Sequence, residues 1–302
     1  MNRIFLFIAI TFTVTLNGQS TVENINWELV ATGFSFPEGP AWHKNGNLYL
    51  SNCHGGWLAK ISENKVDTLL SASDTTFIKT NGIVVGNSGD LFVCEYGKGK
   101  IIKITKDGEV TTLLDGYKGK SFNRPNDLTF DEKGNLYFTD PKDYRAEKDE
   151  GRVFYYNFSD NSLKLVVDGL DFPNGIAISP ITKKLYLSES GQNRVLEFEK
   201  TEDGNLINKR TFIELKGGDP DGLDFDVLGN LYVAHFGSGT LYIVSQKGQI
   251  LQEIKTPGKQ PSNLEFGGKD LRTIYLTEDE NNSVYKIRVR TKGFKILNSA
   301  IN

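Results

Sequence analysis

The chain is expected to be all-β, a six-bladed propeller with four strands per blade, because three features of its 302 residues coincide. A unit made of a Pro-Asn-Asp-like turn, an apolar strand, a Gly-containing turn and an aromatic strand occurs six times. Its anchor residues are Glu38, Asn81, Asn126, Asn174, Asp221 and Asn263. The anchors lie 42 to 48 residues apart, a period that marks a repeat architecture. The composition, with 31 Gly, 19 Phe and 12 Tyr, favours strands and tight turns.

Taken in order, residues 1–20 stand apart. Arg3 is their only charge, Ile4 to Leu16 is apolar or Thr, and small polar residues follow to Ser20. Such a leader reads as a secretory signal peptide cleaved at about residues 18–20. The apolar run is short for a membrane span, with a signal anchor as the alternative. The expected plan is therefore a signal peptide over 1–20 and one propeller domain over 21–302. The mature protein is expected to be exported, periplasmic or secreted, monomeric and free of the membrane.

Within each unit the second strand alternates around an aromatic residue (LYL, LFV, LYF, LYL, LYV, IYL), as a half-buried strand does. The third unit illustrates all four strands, over Leu128–Asp131, Leu136–Thr139, Gly151–Asn157 and Leu163–Asp168. It also carries the longest insertion, Lys142–Glu150, charged and expected to be a surface loop. The sixth unit supplies three clear strands. Its missing outer strand is expected from Trp27–Ala31, which would join the first and last blades and remove two free edges; Phe294–Asn302 is the alternative donor.

A balance of 35 Lys and Arg against 38 Asp and Glu gives a net charge of −3, which offers nothing to nucleic acid. Only two cysteines exist, Cys53 and Cys94. An exported chain permits a disulfide between them, and two buried free thiols are the other reading.

In a propeller the first strand of each blade lines the central channel, so the anchors preceding these strands converge at one mouth. All six anchors carry a side-chain oxygen, which indicates one shared site. Glu38, Asn126, Asn174 and Asp221 make a hard-oxygen set suited to one divalent cation, Ca²⁺ first, then Mg²⁺ or Mn²⁺, with Zn²⁺ also open. The plain alternative is that Pro-Asn-Gly and Pro-Asp-Gly are turns chosen for local hydrogen bonding. Glu38 fits that alternative poorly, since Glu is not a preferred turn residue.

The segments FPEGPAW, RPNDLTFDEKGNLYFTDP, FPNGIAIS and DPDGLDFDVLGNLYVAHFGSG, in this order, resemble the gluconolactonase, senescence-marker-protein and luciferin-regenerating-enzyme family of six-bladed propellers. The resemblance implies that Glu38, Asn174 and Asp221 are ligands of a single divalent cation and that Asp221 is also the general acid/base. It implies that Arg124 and Asn126 contact substrate beside the metal. The family's further substrate-contacting acid has no clear counterpart; Tyr144 falls near its place, with Asp140 and Asp143 close by, which leaves the substrate open.

The function expected from this resemblance is metal-dependent opening of a sugar lactone or similar cyclic ester, with polarised carbonyl, activated water and a proton-relaying carboxylate. A phosphotriester hydrolase on the same metal site, or a non-catalytic ligand-binding propeller with a structural metal, are the rivals. His43, His54 and His235 show no metal-type spacing. Glu95, Asp140, Glu189 and Glu278 recur at a comparable offset after second strands; an acidic second ring is one reading of them, and blade-edge or surface charges for most is the favoured one. No phosphate loop, dinucleotide fingerprint or Gly-x-Ser-x-Gly elbow occurs.

Overall fold

Each repeat becomes one four-stranded antiparallel sheet in the computed structural model, which describes residue 22 and residues 25–63, 65–145 and 147–296. The innermost strands of blades one to six are Pro37–Trp42, Thr80–Val85, Leu128–Phe130, Pro173–Ile178, Asp219–Phe225 and Pro261–Gly267. Blades one to five run outward in chain order. Blade six takes its outermost strand from the other end of the chain: Glu28–Thr32 pairs antiparallel with Ser283–Arg288. The expected N-terminal closure is therefore present, shifted by one residue. The rival donor, as far as it is described, does not join a sheet. Phe294 instead hydrogen-bonds through its N–H to Phe225 O, beneath blade five. The leader over 1–20 lies outside the described residues.

Apolar side chains alternate to the faces between blades, where neighbouring sheets bury them together. Between blades two and three, Phe122, Phe138 and Phe154 meet at ring centroids 5.1–5.3 Å apart, in edge-on and stacked pairs. Burying each such ring stabilises by roughly 1.5–3 kcal/mol.

Two repeated devices set the geometry of the hub. First, five of the six innermost strands change register just after their start, as between Glu38 and Ala41 or Pro220 and Leu223. Such a bulge bends the strand and re-aims the anchor side chain. In blades one, two, four and five a glycine follows the anchor and is required there. Gly39 holds φ +55, and a Cβ on Gly175 would stand 2.2 Å from Asp221 O of the next blade. Second, a hydroxyl near the end of the second strand reaches across to the next blade's anchor carbonyl. Ser51 donates to Asn81 O (2.6 Å), Thr139 to Asn174 O (2.9 Å) and Ser188 to Asp221 O (2.7 Å).

One residue further along stands a buried acid in four blades. Glu95, Asp140, Glu189 and Glu278 are almost fully enclosed, so the reading of them as surface charges is corrected. Each accepts backbone N–H groups from the segment leading into its own innermost strand: Ile78 and Lys79 for Glu95, Arg124 for Asp140, Asp171 for Glu189, Gln260 for Glu278. Asn52 does the same for Ser35 in blade one. His235 holds the corresponding place in blade five, buried between Ser238 Oγ (2.6 Å) and Leu215 O (3.2 Å). It is a structural histidine. Both cysteines are free and buried: Cys94 lies within a second strand, Cys53 after one.

Two expectations follow from closure and crowding. A chain beginning at Gly33 loses the outer strand of blade six, so its Tm should drop by at least about 5 °C, corresponding to a loss of a few kcal/mol. It should also self-associate through the bared edge; an unchanged Tm by calorimetry would contradict the closure. Gly175→Ala should cost about 2–3 kcal/mol in denaturant unfolding, as overpacking does; unfolding indistinguishable from wild type would contradict the close approach of Asp221 O.

Candidate functional site

At one mouth of the channel the bulged starts of the innermost strands enclose a cavity of about 390 Å³. Glu38, Asn174 and Asp221, from blades one, four and five, all line it, as do Asn81, Arg124 and Asn126. Five of the six anchors thus meet in one place. The sixth, Asn263, faces the cavity of about 140 Å³ on the other side of the hub. From there its amide still favours the charged forms of Glu38 and Asp127.

Glu38, Asn174 and Asp221 are only 3%, 7% and 8% exposed, so two carboxylates have been taken out of water side by side. Burial is the largest influence on Glu38 and pushes it up to about 7, against the Gly39 N–H that donates to Oε2 at 2.8 Å. Burial, then repulsion from Glu38, Asp279 and Asp127, drives Asp221 well above the usual carboxylate range. Asp279 is raised to about 9 by burial and by Glu38, and Asp127 to about 7, chiefly by burial. Each of these shifts reflects a carboxylate whose charge is unmatched in a low-dielectric setting.

Hydrogen bonding leaves a corresponding gap. Asp221 Oδ1 and Asp279 Oδ2 are buried with no partner among the described residues. Unpaired buried carboxylate oxygens are costly, and a cation with hard-oxygen preference relieves that cost. The donor set of two carboxylates and an amide therefore fits a divalent ion. Among the described residues no three His, Cys, Asp or Glu side chains form a metal cluster by themselves, so a set at this mouth would draw on amide oxygens as well.

Asp127 and Asp279 were not singled out by the sequence. Asp127 adjoins the anchor Asn126 and could have been found as the second half of the Asn-Asp doublet. Asp279 follows the second strand of blade six, where nothing in its local sequence separates it from the acids around it.

Arg124 is exposed on the cavity wall, and among the described residues no carboxylate forms an ion pair with it. Of the other histidines, His54 stands at the rim against Phe36, whereas His43 lines a separate surface cavity. Tyr144 also reaches the mouth, delivered by the insertion after the second strand of blade three. Asp140 does not; it is buried below, held by Arg152 at 2.5 Å. The cavity beyond the hub is smaller. Its Asp224 and Glu265 carboxylates face Lys295, so its acids are partly neutralised from within.

Comparison with known proteins accords with this architecture. Residues 36–279 match the model of the SMP-30/Gluconolactonase/LRE-like region. The gluconolactonase of Zymomonas mobilis is 31% identical over 297 residues, covering 88% of this chain and 82% of that protein. The diisopropyl-fluorophosphatase of Loligo vulgaris is 28% identical over 288 residues, covering 85% and 90%. A solved gluconolactonase from Xanthomonas campestris superposes with a TM-score of 0.77 at 29% identity, covering 87% and 89%. With most of its length matched, from blade one through blade six, the chain belongs to the SMP-30/gluconolactonase/LRE-like family.

Proposed function

We propose that the protein is a divalent-metal-dependent hydrolase that opens a lactone or similar cyclic ester. The observation that carries this reading is the unpartnered Asp221 Oδ1, buried beside Glu38 at the floor of an open cavity. The relatedness to gluconolactonases supports the lactone, and the donor set supports Ca²⁺ first, with Mg²⁺, Mn²⁺ or Zn²⁺ as alternatives.

In this reading Glu38, Asn174 and Asp221 hold the cation, with Asn126 and Asn81 on the opposite wall. Bound there, the ion would supply the positive charge that polarises an ester carbonyl and lowers the pKa of nearby water. Asp221 accepts the proton of the attacking water as its oxygen bonds to the carbonyl carbon. The ring C–O bond then breaks, and Asp221 returns the proton to the departing alkoxide, giving a hydroxy acid. Arg124, with no carboxylate partner of its own, meets the developing oxyanion or the product carboxylate. Asn126 orients the ring.

A second reading keeps every group and replaces the carbonyl by a phosphoryl centre. The similarity to a diisopropyl-fluorophosphatase over 90% of that protein's length favours keeping it in the assay panel. The basic and apolar leader over residues 1–20 supports export before the enzyme acts.

Asp221→Asn should lower kcat for lactone hydrolysis by about 10²–10⁴-fold, the range for a lost general base, as followed by pH-stat; unchanged turnover would remove Asp221 from that role. The pH dependence of stability has a definite sign. The folded protein raises Glu38 and Asp127 to about 7 and Asp279 to about 9, so it retains protons that the unfolded chain releases. Chelated protein should therefore lose stability as pH rises from about 5 to 9. Ca²⁺ should restore it, with the largest gain in Tm at the alkaline end. A Tm at pH 8 indifferent to both chelator and cation would contradict the metal site.

A further inference from the structure

Two aromatic residues at equivalent places in blades one and four adopt a backbone that bulky side chains rarely take. Phe36, before Pro37-Glu38-Gly39, has φ 61, and Phe172, before Pro173-Asn174-Gly175, has φ 53. Both lie in the left-handed region, where a ring-bearing residue is strained and persists only if the surroundings over-determine it. Both line the mouth cavity above the proposed metal ligands.

The two rings anchor two clusters on opposite sides of the opening. Phe36 lies 4.7 Å from the His54 ring and 6.4 Å from Phe236. Phe172 takes Tyr144 edge-on at 5.4 Å. Tyr144 is fixed rather than adrift on its loop. Its hydroxyl donates to Asp219 Oδ2 at 2.6 Å, and the Arg145 guanidinium covers its ring at 4.9 Å. Arg145 pins the loop to blades four and five through Asp219 Oδ1 (3.1 Å) and through its backbone N–H to Asp171 Oδ1 (3.0 Å).

Two polar groups of the rim are already engaged by protein partners. Asp219, a carboxylate lining the cavity, already accepts from Tyr144, Arg145 and Asn193. The Ser190 hydroxyl is spent on Pro220 O at 2.7 Å. Arg124, His54 and Tyr96 still present polar groups to the cavity, and beside them the rings of Phe36, Phe172, Phe236 and Tyr144 offer apolar surface.

We infer that this collar selects lactones and esters bearing an apolar substituent over polyhydroxylated sugar lactones, with Phe36, Phe172 and Tyr144 as its specificity-determining residues. A sugar lactone would set hydroxyls against the rings of Phe36, Phe172 and Tyr144, whose faces do not replace water as hydrogen-bond partners, while an alkyl substituent would be removed from water by them. The inference rests on the hydrolase reading above and concerns only what the floor chemistry is offered.

The test uses the full metal-loaded chain with δ-lactones carrying unbranched alkyl substituents from methyl to hexyl, and with glucono-δ-lactone. The kcat/KM should rise about fourfold per methylene over the first few carbons, carried by KM. Glucono-δ-lactone should fall at least about tenfold below the hexyl compound. Phe36→Gly and Phe172→Gly remove a ring while making the positive φ permissible, and Tyr144→Ala removes the ring that the insertion packs on Phe172; each should flatten the chain-length slope with Tm within several degrees of wild type. Glucono-δ-lactone equalling the hexyl compound, or a slope unaltered in all three variants, would overturn the inference and leave the hydrolase standing. No turnover of any lactone would instead remove the hydrolase reading, and the preference with it.

Discussion

Glu38, Asp127, Asp221 and Asp279 are carried into a low-dielectric hub where burial is the largest influence on each, and Asp221 is raised further by the charges of Glu38, Asp279 and Asp127. A fold does not accumulate such repulsion for stability, since removing buried charges in favour of apolar side chains is usually neutral or stabilising. The arrangement becomes favourable once positive charge stands among the carboxylates. The same charge would serve chemistry at an ester carbonyl, so one electrostatic demand links the buried acids of the hub to the proposed activity.

The rest of the molecule holds that hub in place. Six sheets pack face to face through apolar clusters, and Glu28–Thr32 completes blade six as its outermost strand, tying the two ends of the chain into one sheet. Bulges turn the anchors toward the axis, glycines such as Gly175 let adjacent backbones approach, and hydroxyls from Ser51, Thr139 and Ser188 fix the anchor carbonyls of the following blades. The buried acids one position beyond tie down the approaching loops. These supports position the anchors more rigidly than exposed loops alone could.

Much of this was legible in the sequence because repetition multiplies weak signals. One Pro-Asn-Gly reads as a turn; six oxygen-bearing anchors at a near-constant period read as blades around an axis, and five of them do meet. The departure of Asn263 was hidden, since which side of the hub a residue faces depends on the local register of its strand. The acids of the second ring were misread as surface charges for a related reason. Glu95 and Glu278 look solvated in sequence, and only the fold reveals the loop N–H groups that satisfy them. The aromatic collar was hidden most deeply. Phe36 and Phe172 look like core residues beside prolines, and the left-handed backbone that turns them to the cavity is a tertiary outcome.

The most direct test of the hub is crystallographic. Crystals grown with Ca²⁺, measured at a wavelength where its anomalous signal is strong, should give one anomalous peak among the oxygens of Glu38, Asn174 and Asp221, at about 2.3–2.6 Å from each ligand. An anomalous map flat at that point, or a peak elsewhere with these three side chains bonded only to protein and solvent, would contradict it.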